Sequence, residues 1–198
     1  MKKFELTSET KINIFGKKLF RIKALISFGD VEAGETGGWV EKEGNVNQSG
    51  DAWVSGDAEV SGDARVFGNA MVSGNAMVSG NARVFGDAEV SGNAEVSGNA
   101  RVFGDAEVSG NAEVSGDARV FGDAMVSGNA DYTTIHGFGT QFRTTTFFRC
   151  KDKKVRVACG CFFGTIPEFR EQVKNTRKGK IAEEYLMIAD LMEKHFEK

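Results

Sequence analysis

Four arginines and four phenylalanines recur on one spacing: Arg65, Arg83, Arg101 and Arg119, with Phe67, Phe85, Phe103 and Phe121 two residues after each, every member 18 residues from the next. Guanidinium forks suit phosphate and carboxylate, and aromatic faces suit planar rings, so the paired columns could form a groove for an anionic, planar ligand. They could equally bury against another subunit, or lie beneath the chain's own last helix. Each aromatic can bury about 150 to 250 Å², so covering four by half would give roughly 7 to 12 kcal/mol of gross burial at about 25 cal/mol per Å². An exposed apolar stripe usually marks an interface, and an oligomer interface is the leading expectation.

General acid–base chemistry needs a group that titrates near neutrality, and the sequence has two histidines, His136 in "TTIHGFG" and His195 near the end of the last predicted helix. Only His136 is a candidate base. A tetrahedral zinc site from Cys150, Cys159, Cys161 and His136 is arithmetically possible, but Cys159 and Cys161 are two apart in an apparent strand and lack the usual knuckle spacing. Thiols acting as small buried hydrophobes are the better reading, so neither a metal nor another cofactor is expected.

The elements that must position these residues are written in the repeat. From Gly50 to Ala130 the chain is an unbroken run of six-residue units, G-[DN]-A-x-V-[SF]. In an extended segment Ala and Val, two apart, point to one side, while x and the Ser or Phe position point to the other. The inner face is therefore small plus β-branched. Glycine followed by Asp or Asn supplies the corner, since these residues tolerate positive φ. Three such sides make one 18-residue turn, which places all four Phe and all four Arg outside, on one face of three. The other two faces carry Met71 and Met77, then Glu89, Glu95, Glu107 and Glu113, and read as solvated.

At Ala52, Ala58 and Ala64 with Val54, Val60 and Val66, the pattern resembles the left-handed parallel β-helix of hexapeptide repeats, although glycine here stands two after the valine instead of one. The resemblance implies a homotrimer. Many members are acyltransferases with a histidine base between subunits, and an acyltransferase-like enzyme is kept as the second alternative, with His136 as base. The carbonic anhydrase arrangement needs three histidines, which this chain lacks.

Three domains are expected. Residues 1–43 read as an N-terminal β cap with a hairpin about Gly16, Lys17 and Lys18, residues 44–131 as the β-helix, and residues 132–198 as a small α+β domain of a hairpin plus two helices. Gln48 falls on a valine position, so the first coil is imperfect. Thr165, Pro167 and Glu168 signal a helix start, and a last helix over residues 180–197 gathers Ile181, Tyr185, Ile188, Ala189, Met192 and Phe196 on one face.

The segments "FRIKALISFGDVEAGETGGWVE", "CGCFFGTIPEFREQV" and "AEEYLMIADLMEKHF" resemble the uncharacterised hexapeptide-repeat proteins of prophages and phages. That likeness implies phage association. Residues 1–130 carry 12 Lys plus Arg against 19 Asp plus Glu, and the remainder 13 against 9, so an acidic body meets a mildly basic tail containing "RCKDKKVR". The sequence has no apolar run long enough to span a membrane, and a cytoplasmic protein is expected. Membrane and nucleic acid are not the expected partners. The chain therefore reads as a non-enzymatic phage-encoded binding or scaffold protein that oligomerises through the β-helix and recognises a partner, such as a host protein, through its C-terminal domain. The first alternative is a counter-defence protein that sequesters a small nucleotide or blocks a host protein.

Overall fold

The computed structural model describes residues 2–197. Its body is a three-sided parallel β-solenoid of about five turns, in which each rung pairs with the rung 18 residues away: Val60 with Val78, Val66 with Val84, Val72 with Val90. Every inward Ala from Ala52 to Ala124 and every inward Val from Val54 to Val126 is fully buried. The side-chain pair is small plus β-branched because three walls converge on a narrow axis that holds nothing larger.

The corners are glycine's work alone. Gly56 to Gly122 hold φ between 63° and 76° at six-residue steps, whereas no Asn or Asp of the described corners takes positive φ. Stacking adds a second demand: a Cβ on Gly92 would lie 2.9 Å from the backbone nitrogen of Gly110 in the next coil. The Asn and Asp residues that were expected to share the turn do something else. Asn75 donates its amide to Asn93 at 3.1 Å and Asn93 donates to Asn111 at 3.0 Å, so the corner side chains form ladders of their own.

The first coil reaches back before residue 44. Strand Thr36–Val40 lies in the ladder, with Trp39 beside Glu59 and Val40 beside Val60. On the Arg and Phe face Val46, not Gln48, takes the inward place, bridging to Val66. The side from Val46 to Val54 is thus two residues longer than the six-residue unit, and Gln48 is left to pin the cap. Its side-chain oxygen accepts from Lys3 N at 2.7 Å and its amide donates to Phe4 O at 3.1 Å. The hairpin Phe4–Ile12 and Lys18–Ala24 turns at Gly16 and continues the sheet antiparallel beyond Thr36–Val40, which ends the parallel edge. Lys3 is buried beneath it, donating to Ala52 O at 2.7 Å, and loss of water pushes its ammonium down to about 8.

The other end is covered by a four-stranded antiparallel sheet, Tyr132–Phe138, Arg143–Arg149, Val155–Cys159 and Phe162–Thr165, where a two-stranded hairpin was expected. Alternation along Arg143–Arg149 divides its two faces. Phe148 joins the solenoid core, and Phe147 joins a second core with Val157 and the helices α1 (Ile166–Thr176) and α2 (Gly179–Phe196). Thr165 caps α1 with Glu168 in a capping box, as its sequence signals required. None of the helices is long and apolar enough to cross a membrane, among the described residues.

Because each coil closes on its neighbours in the same register, removing residues 82–99 joins equivalent positions. The shortened chain is expected to keep its β circular dichroism and unfold cooperatively. An unfolded product would show that coil identity matters beyond register.

Candidate functional site

Arg and Phe occupy the outward positions of the face whose rungs are Arg65–Val66, Arg83–Gly86, Arg101–Gly104 and Arg119–Phe121. Parallel in-register pairing puts like on like: Arg83 beside Arg101, Phe85 beside Phe103. The four rings stack with centroids 4.8, 4.8 and 4.7 Å apart and planes within 4° of parallel. Such ring pairs contribute about 0.5 to 1.5 kcal/mol each beyond their area. Stacking leaves all four rings half-buried, so a partner would cover ring edges and gain less than the full area of four exposed rings implies.

The arginines have no such compensation. Arg65, Arg83 and Arg101 are exposed and make no ion pair among the described residues. Arg119 is half-buried, donates to Gly160 O at 3.1 Å and lies over the Phe121 ring at 5.7 Å. Like charges held at rung spacing repel, so the column favours an anionic counterpart. Carboxylates form matching columns elsewhere on the prism, Glu89 beside Glu107 on one face and Glu95 beside Glu113 on another.

The last helix does not cover the stripe. Helix α2 packs on the far side of the C-terminal sheet, its buried Tyr185, Ile188, Ala189, Met192 and Phe196 in the second core. What reaches the ladder is Phe163, 4.4 Å from Phe121, with Phe148 at 5.8 Å. Sequence reasoning missed Phe163 because it sits outside the repeat. At the opposite end of the ladder a cavity of about 390 Å³ opens against Phe67, lined by Glu43, Asn47, Gln48 and Arg65.

The other singled-out residues stand apart. His136 is exposed with Nδ1 3.1 Å from Thr144 Oγ1, and no carboxylate or thiol among the described residues hydrogen-bonds it. His195 stands edge-on to Phe196 at 5.0 Å. Cys150 lies in the solenoid core, where burial pushes its thiol up to about 11. Cys159 ends its strand half-buried and accepts from Thr145 Oγ1 at 3.2 Å, whereas Cys161 is exposed. The two were expected to share a strand; the strand ends at Cys159 and the chain turns at Gly160, φ 60°, yet both residues line one cavity of about 100 Å³ beside Tyr185. No group of three or more His, Cys, Asp or Glu that could hold a metal occurs among the described residues.

A family model described as the YdcK beta solenoid repeat matches residues 58–74, 64–80 and 72–86. The repeat is similar to that solenoid. No curated protein matches the chain.

Phe163 adds a ring contact to the junction that the fully buried Phe148 makes between solenoid and C-terminal sheet. Phe163→Ala is expected to lower stability by about 1 to 2 kcal/mol and to speed amide exchange across residues 155–165, leaving rungs 65–103 protected. Equal loss of protection in both regions would contradict a local role.

Proposed function

We propose that this protein is a non-enzymatic binding or scaffold protein, built from hexapeptide repeats, whose solenoid assembles with copies of itself through the Arg and Phe face. The observation that carries the proposal is the exposed arginine column, without ion pairs among the described residues, beside a ladder of ring edges that the last helix leaves uncovered. Glu95 and Glu113 on another copy, which make no ion pair among the described residues, would neutralise it at the same rung spacing, whereas Glu107 is already engaged by Lys151 at 2.6 Å. A face meeting a different face is a heterologous contact, which closes into a ring when the rotation allows. Three copies are the smallest such ring, and the likeness to left-handed β-helices points to the same number.

The C-terminal domain is then the part that recognises a partner protein. Its chemistry is varied where the coils are uniform, and it presents the basic turn at Lys151, Lys153 and Lys154, all exposed. The flanking segments' likeness to phage and prophage proteins supports a phage-encoded protein acting in the host cytoplasm.

Replacing Phe85 and Phe103 with serine restores the residue of the other two faces and leaves each inward Ala and Val in place. Light scattering is expected to show a fall in mass toward one chain, with β circular dichroism retained. An unchanged mass would remove the assembly proposal.

A further inference from the structure

The Phe ladder is closed at one end and open at the other. Phe163 continues it beyond Phe121, but the rung beyond Phe67 belongs to Asn47, whose N–H donates to Val66 O at 2.9 Å. The Asn47 side-chain oxygen is turned aside to accept from Ser49 N at 3.1 Å and Ser49 Oγ at 3.0 Å. One face of the Phe67 ring lies on Phe85, and the other has no aromatic neighbour among the described residues. The cavity of about 390 Å³ stands where a fifth ring would continue the stack, within the range of small-molecule sites.

A second cavity, about 460 Å³, lies on the other side of Arg65, between Lys42, Asp63 and Arg83. Lys42 is engaged by Asp63 at 2.6 Å, whereas Arg65 and Arg83 are unpaired among the described residues. An open space against a ring and an open space between those two guanidiniums thus share Arg65.

We propose that this end of the face is a binding site for a nucleoside monophosphate. The base stacks on the open face of Phe67 as the next step of the ladder, and the phosphate lies between Arg65 and Arg83. Glu43 favours a base with N–H donors over a plain hydrocarbon ring. Its carboxylate accepts from Lys2 at 2.9 Å and Gln48 at 3.0 Å and keeps lone pairs for a further donor. The site goes beyond assembly and needs no second copy: its base lies one rung beyond Phe67, and its phosphate takes Arg65 and Arg83 of the same face.

The test is calorimetric titration of the four common nucleoside monophosphates, the matching nucleosides and inorganic phosphate, with light scattering on the same samples. At least one monophosphate is expected to bind, with its nucleoside and inorganic phosphate each weaker by about tenfold or more. Phe67→Ser and Arg65→Ala should each cost about tenfold or more, while Phe67→Trp, which keeps a ring face, and Lys178→Ala, exposed beside the start of α2, stay within about threefold. Arg65→Ala losing nucleotide while keeping the parent mass would support the site independently of assembly. The proposal is overturned if no monophosphate binds, if phosphate alone binds as well as the best nucleotide, if Phe67→Ser and Arg65→Ala leave affinity unchanged, or if affinity falls only in variants whose mass also falls.

Discussion

The molecule depends on coil-to-coil hydrogen bonding in a register that holds at one 18-residue step from Trp53 to the last coil. Arg83 N donates to Ala100 O at 2.9 Å, Asn75 N to Gly92 O at 2.8 Å, and the pattern repeats on every side. Glycine at each corner makes this possible twice over, by supplying positive φ and by leaving room for the next coil's backbone. A slip of one residue would turn every Val outward, so burial locks the register that the backbone proposes.

Fixed register turns each outward position into a column of similar side chains, and the chemistry of a column follows from its residue type. Amides profit, because each Asn both donates and accepts. Phenylalanines profit by stacking. Arginines and glutamates do not, since each adds a like charge at rung spacing. The prism is therefore self-sufficient at its Asn corners and along its Phe ladder. It is short of partners where Asp105 and Asp123 follow Asp87 at one corner, at Arg65, Arg83 and Arg101, and along its Glu columns apart from Glu107, which Lys151 engages. The proposed functions arise from those unsatisfied columns and from the ladder's open end.

Much of this was legible in the sequence, for one physical reason: a strict period leaves little freedom. The unit Gly-Asp/Asn-Ala-x-Val fixed inward and outward positions, and Thr165, Pro167 and Glu168 fixed the start of α1. Part of what escaped lies where the period fails. Counting sixes placed Gln48 inward, but the chain spends two extra residues between Val46 and Val54, and only the cap's demand for Gln48 explains the choice. Asn and Asp share a preference for turns, so both read as turn residues, when Asn75, Asn81, Asn93 and Asn99 serve as ladder side chains. Tyr132–Phe138, rich in Thr and Gly, gave no clear alternation, yet it pairs along one edge of the C-terminal sheet. The Phe and Arg columns were visible as spacing, but the stacking that half-buries the rings required knowing that neighbouring coils align them.

The central claim is that the Arg and Phe face exists to meet the acidic face of another copy. Sedimentation of the unmodified protein across a range of ionic strength tests this most directly, because charge-paired faces weaken as salt screens them. The account predicts a three-chain species at low salt that dissociates as salt rises. A single chain at every salt and protein concentration, or an assembly that strengthens with salt, would contradict it.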